Sequence, residues 1–199
     1  MATVRTLSNF KSKLAGGGAR PNLFEVSIPN FPAASTTSTP AAQPNDETFQ
    51  FLCKATNLPA SNVASIDVPF RGRIFKVAGD RTIDNWSVTV INDEDFLLRN
   101  AFEAWMDQIS KLSNNLGATE PNSYMTDAVV YQLGRGSVKN SKDSNGEVNA
   151  VLKEYKFIDI FPTAISAIDL SYDTGDAIEE FTVDFQVQTF ELISGGPNG

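Results

Sequence analysis

The sequence predicts a mainly β domain of antiparallel strands with one packing α-helix. Segments that alternate apolar and polar residues recur along the chain, whereas only one segment places apolar residues at the helical period of 3.6. Turn signals separate the alternating segments, the clearest being Arg71-Gly72 and Asn145-Gly146. With 199 residues and a 41% apolar composition, the chain can bury one well-packed core.

The first part of the chain is predicted to contain an arm, two strands and a loop. Residues 1–20 surround Gly16-Gly17-Gly18 and predict a flexible N-terminal arm. The run Asn22–Ile28 predicts a first strand, and Thr48–Thr56 (TFQFLCKAT) predicts a second strand that pairs with it. Between them, residues 29–47 are rich in Pro, Ser, Thr and Ala, so they predict a surface loop.

The middle of the chain is predicted to form a hairpin, a strand and the helix. Residues 64–78 contain two short alternating runs about Arg71-Gly72, where glycine supplies the positive φ that a tight turn needs. Asp84–Ile91 predicts a strand. The helix follows, capped by Asn92 or Asp93, and its apolar stripe is predicted to pack on the open face of the sheet. The stripe comprises Leu98, Phe102, Trp105, Ile109 and Leu112.

The last third of the chain is predicted to form two antiparallel strand pairs within a single domain of residues 21–192. The four strands are Tyr124–Val138, Glu147–Phe161, Ala164–Tyr172 and Ile178–Leu192. Residues 137–149 are predicted to form a solvated hairpin tip, and residues 193–199 a C-terminal tail. A final strand of roughly 14 residues would reach about 45 Å, so we expect another copy of the chain to cover its edges.

Composition argues against an enzyme or a metal site. The chain has no histidine, the commonest general base and metal ligand, and its single cysteine, Cys53, is predicted to be a small core residue on a strand. The carboxylates of Asp93-Glu94-Asp95 suit a helix N-terminus, and those of Glu179-Glu180 face opposite sides of a strand. We therefore predict no enzymatic activity and no cofactor.

Charge and hydropathy limit the kinds of partner that the chain can bind. The formal charge is −8 without a Lys/Arg cluster, which argues against specific nucleic-acid binding, and no apolar run is long enough to span a bilayer. Two classes of protein fit these residues: a self-assembling structural subunit and a β-sandwich binding module for carbohydrate or protein. The first predicts rings formed through sheet edges, and the second predicts a compact monomer with exposed aromatic residues at one end.

Three stretches resemble the tail tube protein family of T4-like contractile-tailed bacteriophages, and they occur in the family's order. They are ARPNLFEVSI at Ala19–Ile28, FQFLCKATNLPA at Phe49–Ala60 and VAGDRTIDNWSVTVINDE at Val77–Glu94. The C-terminal FPTAISAIDLSYDTGDAIEEFTVDF, Phe161–Phe185, has the same arrangement in weaker form. The resemblance covers about Ala19–Leu192.

The resemblance implies an antiparallel β-sandwich or barrel-like structural subunit with one flanking α-helix. It implies that six copies form a hexameric ring, with strands from all copies joined into a β-barrel that lines a channel. It implies that the rings stack from a baseplate up to a tail terminator, inside a contractile sheath. The implied contents are the tape-measure protein and later the DNA, which passes through without specific binding. The implied location is the virion tail, after assembly in the host bacterial cytoplasm.

Within the resembling stretches, several residues are candidates for subunit or lumen contacts. In VAGDRT, Gly79 is expected to permit a sharp turn, and Asp80 and Arg81 to form a charge pair within or between subunits. Arg20 is expected to anchor the arm to a neighbour. The remaining candidates on the hairpin and on the polar face of the last strand are Asp67, Arg71, Arg73, Lys76, Glu180, Asp184 and Gln186. Two alternatives stay open, a related inner-tube subunit of a contractile injection system or tail terminator-like ring, and the β-sandwich binding module.

Overall fold

The computed structural model of the protein describes residues 6–14, 18–32, 46–139, 147–173 and 175–193. The chain forms two compact units. The larger comprises Ser27–Ala128 and Phe157–Glu191, and the smaller comprises Met1–Val26, Val129–Lys156 and Leu192–Gly199. The extent of a single domain at residues 21–192 stays a prediction. Parts of the predicted loop 29–47 and hairpin tip 137–149, and nearly all of the tail 193–199, lie outside the described residues.

The predicted fold class is confirmed, since the described chain is mainly antiparallel β-structure. The strands are β1 Phe24–Ser27, β2 Cys53–Thr56, β3 Ser61–Phe70, β4 Arg73–Ile83, β5 Trp86–Ile91, β6 Thr126–Lys139, β7 Glu147–Ile165, β8 Glu180–Gln186 and β9 Thr189–Ile193. The helices of the described residues are α1 Leu7–Lys13, α2 Asp46–Leu52 and α3 Leu97–Ile109, with a short 3-10 turn at Pro121–Ser123. None of these helices has the length and apolar character needed to cross a membrane.

The larger unit contains a sheet in the order β7-β8-β5-β2. In the antiparallel register of β5 and β8, Trp86 lies opposite Phe185, and Val88 lies opposite Val183. These side chains are fully buried because alternation along both strands places them on one face. The predicted strand Asp84–Ile91 and the packed face of the last strand are therefore confirmed.

The last predicted strand pair is wrong in extent. The strand β7 ends at Ile165, so most of the predicted strand Ala164–Tyr172 has no strand structure. The predicted run Ile178–Leu192 is divided into β8 and β9 by a break at Val187 and Gln188. Val187 is buried although it lies between the two strands. The alternation of apolar and polar residues therefore continues through the break.

The predicted helix is confirmed as α3, and it packs on the apolar face of the sheet. The Phe102 ring contacts the rings of Phe181 and Phe185 edge-on, with centroids 6.2 and 5.9 Å apart. The Trp105 indole N–H donates to the Tyr124 carbonyl at 2.7 Å. The helix ends at Ile109, so Leu112 lies outside it and is 94% exposed, contrary to the prediction.

The start of α3 differs from the predicted cap. Phe96 is the N-cap residue, in the left-handed conformation with φ 53°. Asp93 nevertheless caps a free N–H at this end of the helix, since its Oδ1 accepts a hydrogen bond from the Leu97 N–H at 3.2 Å. A carboxylate at this position also suits the positive end of the helix dipole.

The predicted strand Thr48–Thr56 is wrong in its first half, where the chain forms α2. Asp46 anchors this helix, because its carboxylate accepts from the Ile28 N–H at 2.9 Å, the Ser27 hydroxyl at 2.7 Å and the Gln50 amide at 2.9 Å. The following strand β2 pairs with β5, whereas the prediction paired it with the first strand.

Cys53 begins β2, as the prediction of a strand position required, but it is half-buried and is not part of the buried core. Burial raises the pKa of the Cys53 thiol to about 12. We expect the folded protein to react very slowly with Ellman's reagent at pH 8, since a thiol four pH units below its pKa is about one part in ten thousand thiolate. Labelling in urea should be fast, because the thiol of the unfolded chain has its ordinary pKa, and it provides the control. Equally fast labelling of folded and unfolded protein would contradict the expectation.

The raised pKa of Cys53 also predicts how stability depends on pH. Since the folded state holds the thiol proton more tightly than the unfolded state does, the free energy of unfolding should fall as pH rises from about 9 to about 12.

The smaller unit contains α1, most of β1 and the adjoining parts of β6 and β7. The Leu133 N–H donates to the Leu23 carbonyl at 2.9 Å, so β1 pairs with β6. The Gln132 amide adds bonds to the carbonyls of Leu23 at 2.7 Å and Arg20 at 2.8 Å. Within the predicted arm 1–20, the structure has the helix α1, with Thr6 as its N-cap.

Candidate subunit interface

The predicted hairpin is present and longer than expected. It consists of β3 and β4 joined by Arg71-Gly72, and it forms a two-stranded sheet of its own. Both turn residues have positive φ, 47° and 81°, which matches the twist that a two-residue hairpin turn requires. An isolated two-stranded sheet is marginally stable in water, so this hairpin is expected to gain stability from a partner surface.

The register gives the hairpin two different faces. With Phe70 opposite Arg73, Val68 opposite Phe75 and Ile66 opposite Val77, large apolar side chains from both strands fall on one side. We call this set the apolar hairpin face; it comprises Ile66, Val68, Phe70, Phe75 and Val77. All five side chains are exposed, and Phe70 and Phe75 are 67% and 64% exposed. A contiguous exposed apolar surface of this kind is typical of an interaction site.

The opposite face of the hairpin is more polar. Asp67 lies opposite Lys76, and the Lys76 ammonium donates to the Asp67 carboxylate at 2.9 Å. Both side chains are largely exposed, so this ion pair adds little stability and mainly keeps the face hydrated. The hairpin is therefore amphipathic, although Ile74 lies on the more polar face and Arg73 lies beside Phe70 on the apolar one.

Hydrogen bonds close the base of the hairpin, where its two ends meet. The Asp84 N–H donates to the Ala60 carbonyl at 3.0 Å, and the Asn62 amide donates to the Asp84 carboxylate at 3.1 Å. The Arg81 guanidinium donates to the Ser61 hydroxyl and lies 5.7 Å from the centroid of the Phe190 ring. Of these contacts, the one with Phe190 joins the hairpin to another strand, β9.

The expected roles of Gly79, Asp80 and Arg81 need correction. Gly79 lies inside β4, where Gly79 and Asp80 stand opposite Ala64 in a β-bulge. A Cβ at Gly79 would lie 3.2 Å from the Ala64 carbonyl oxygen, so glycine allows close approach of the two strands rather than a sharp turn. Arg81 uses Ser61 and Phe190 as partners, and the part of the chain that the structure describes contains no Asp80–Arg81 ion pair. A pair between subunits stays a prediction.

The remaining candidates on the last strand lie on the polar face of β8. The Asp184 carboxylate accepts a hydrogen bond from the Ser87 hydroxyl of β5. Glu180 accepts from the Lys54 ammonium at 2.5 Å. Gln186 lies opposite Phe161 of β7. Together these residues form a half-exposed, largely acidic surface on the side of the sheet opposite the aromatic core.

The structure thus places the predicted candidates in three locations. Six of them lie on the hairpin and three on the polar face of β8, which belongs to a different sheet. Arg20 is exposed just before β1, and its carbonyl accepts from Gln132. The hairpin candidates are Asp67, Arg71, Arg73, Lys76, Asp80 and Arg81. Their roles at an interface or lumen stay predictions.

The hairpin was predicted as a contact surface through its charged residues, and the prediction did not include its apolar face. The signal was present, because a two-residue turn at Arg71-Gly72 fixes the register and aligns the apolar residues of the two strands. In the described ranges, no group of three or more Cys, Asp and Glu side chains is arranged to hold a metal ion. The surface therefore offers packing area and hydrogen-bonding edges for a partner.

The comparisons with known proteins give a consistent result. A family model described as phage tail tube protein matches residues 19–192. The tail tube protein gp19 of Enterobacteria phage T4 is 33% identical over 177 residues, which covers 89% of this chain and 93% of the T4 protein. The tail tube protein of Serratia phage KSP90 is 27% identical over 194 residues, covering 98% of each chain.

Solved structures share the fold at lower identity. A chain in the cryo-EM structure of the anti-feeding prophage baseplate has a TM-score of 0.59 at 9% identity, covering 89% of this chain and 96% of that one. A chain in the sheath-tube complex of an extracellular contractile injection system, PVC, has a TM-score of 0.55 at 12% identity, covering 96% and 99%. At these identities the likeness is one of fold.

Proposed function

The chain belongs to the phage tail tube protein family, and from this membership we propose that it is the repeating structural subunit of a contractile-phage tail tube. The observation that carries the proposal is the apolar hairpin face. A folded subunit that exposes five large apolar side chains on a two-stranded sheet gains stability when a partner buries them. In a tube, the neighbouring copy is that partner.

We propose that the copies form closed hexameric rings that stack into a hollow tube. The unpaired edges of β3 and β4 offer backbone N–H and C=O groups for strand pairing with a neighbouring copy. Contacts between different patches of identical subunits generate rings when the rotation closes, and stacked rings give a continuous channel.

The acidic face of β8 is the better candidate for the channel wall. Residues 61–83 of the hairpin contain four Arg or Lys and two Asp, so the hairpin is net positive and would bind a passing polyanion. The β8 face carries Glu180 and Asp184, and Lys54 is paired with Glu180. At a formal −8 per copy, a hexamer carries a formal −48, which favours passage of DNA without retention.

The proposed partners follow from the tube's position. We propose that the outer surface contacts a contractile sheath, that one end docks on a baseplate and that the other meets a tail terminator. The tape-measure protein and then the genome occupy the channel. Assembly takes place in the host bacterial cytoplasm, the finished tube is part of the virion tail, and the subunit has no catalytic role. A tube subunit of a contractile injection system is the second candidate, supported by the shared fold.

We expect purified protein to form rings or hollow tubes of uniform width as its concentration increases. Negative-stain electron microscopy, with light scattering on the same samples, measures this directly. A second series with added baseplates tests whether growth needs a template. A protein that stays monomeric at all concentrations and also fails to extend baseplates would contradict the proposal and favour a binding module.

A further inference from the structure

The helix α1 exposes its apolar side chains to solvent. It is seven residues long, it contains no buried residue, and its apolar side chains Leu7 and Phe10 are exposed, as is Leu14 at its C-cap. The spacing of these three residues places them on one face of the helix. Isolated helices shorter than about 12 residues are marginal in water, so α1 is expected to be stable only against another surface.

The N-terminal segment is also strongly basic. Residues 1–20 contain four Lys or Arg and no Asp or Glu. Two of them, Lys11 and Lys13, lie in α1 near its C-terminal end, where positive charge suits the helix dipole. The surface that covers α1 should therefore be apolar at its centre and acidic around it.

One loop of the larger unit has these properties. Residues 166–173 and 175–179, which we call the acidic loop, contain four Asp or Glu and no Lys or Arg. The loop exposes Leu170, Tyr172 and Ile178. Its residues also line an open cleft of about 410 Å³, a volume in the range of about 300–1,000 Å³ that takes small ligands and enough for an aromatic side chain such as Phe10.

The apolar hairpin face is a poorer site for α1. The hairpin is net positive, so the lysines of α1 would meet like charge there. The acidic loop offers opposite charge and exposed apolar side chains together. Phe10 is 62% exposed and Tyr172 is fully exposed, so both side chains are accessible to a second copy.

We propose that α1 of one copy docks on the acidic loop of a second copy, with Leu7, Phe10 and Leu14 against the apolar side chains and the lysines facing the carboxylates. This inference rests on the proposed function, since it requires self-assembly, and it assigns the N-terminal segment a specific partner. Docking orders α1 only when copies meet, so the contact makes assembly sensitive to salt.

A charge-swap experiment with the full chain tests the contact. The double variant K11E/K13E should raise the concentration needed for tube formation by at least about tenfold, because attraction becomes repulsion at each contact. The variant D173K/D176K changes two exposed carboxylates of the acidic loop and should have a similar effect. Combining the two variants restores opposite charges and should recover assembly. The control K111E/K153E has the same net charge as K11E/K13E and should assemble like the original protein.

Cross-linking gives a second readout. In a C53A background, a chain with S8C in α1 and a chain with A177C in the acidic loop, two exposed positions that leave Phe10 and Tyr172 in place, are mixed, assembled and treated with a short bis-maleimide. Cross-links between the two differently tagged chains are expected. Tubes that form without the cross-link, or a combined variant that recovers no assembly, would overturn the inference and leave the proposed function intact. Original protein that forms neither rings nor tubes, alone or on baseplates, would overturn both.

Discussion

Replacing Phe75 by aspartate (F75D) is expected to prevent tube assembly while the subunit stays folded. Phe75 lies at the centre of the apolar hairpin face and is 64% exposed in the single chain, so the substitution removes no core contact. Against a neighbouring copy, the carboxylate would be taken out of water among apolar side chains, which costs up to several kcal/mol. We expect the concentration needed for assembly to rise at least about 100-fold, equivalent to about 2.8 kcal/mol.

The matched control lies on the other side of the same hairpin. Ser65 stands opposite Ala78 on the polar face, so S65D adds the same charge without touching the apolar hairpin face. Sedimentation and electron microscopy over a concentration series measure assembly, and circular dichroism with urea unfolding measures folding. For both variants the free energy of unfolding should stay within about 1 kcal/mol of the original value. If F75D forms tubes at the original concentration, the hairpin face is not a subunit interface.

The core could be predicted from the sequence because apolar residues that recur at the period of a strand or a helix are usually buried within their own chain. Trp86, Val88 and Val90 alternate with polar residues in β5, and each is fully buried. The apolar stripe of α3 was equally predictable, since its residues Leu98, Phe102 and Trp105 are all buried. In these segments, pattern, local structure and packing agree.

The helix α2 shows where the pattern was ambiguous. Phe49, Phe51 and Cys53 alternate and so suggested one face of a strand. At about 100° per residue in a helix, Phe49 and Phe51 instead point to nearly opposite sides. The structure buries Phe49 in the aromatic core and leaves Phe51 77% exposed. The deciding contact is Asp46 with Ile28 and Ser27, which joins residues far apart in the sequence.

The candidate surfaces were predicted less completely, for a related reason. Charged residues such as Arg71 and Lys76 were chosen as contacts because they stand out in the sequence, yet Lys76 pairs with Asp67 in its own chain. The apolar residues beside them carry no such mark in the sequence. Only the structure distinguishes an apolar side chain buried in its own subunit from one left for another copy.

The largest expected effect on folding is that of Phe102→Ala. The Phe102 ring lies 5.5 to 6.4 Å, centroid to centroid, from the rings of five other aromatic residues and is fully buried. These rings are Phe31, Phe49, Trp105, Phe181 and Phe185, and they connect α3 and α2 to the sheet. Truncation of Phe102 to alanine would leave a large cavity, because the surrounding rings cannot move far enough to fill it. We expect the free energy of unfolding to fall by about 3–5 kcal/mol.

Such a loss is a large share of the roughly 5–15 kcal/mol that stabilises a typical domain, so F102A should unfold at much lower urea concentration. Urea unfolding below the assembly concentration, followed by tryptophan fluorescence, measures the change. The control F51A removes the same side chain from an exposed site in α2 and should change stability by no more than about 0.5 kcal/mol. A loss below about 1 kcal/mol for F102A would show that the aromatic cluster repacks around the gap. In that case the sheet, rather than the contact of α3 with it, would be the main source of stability.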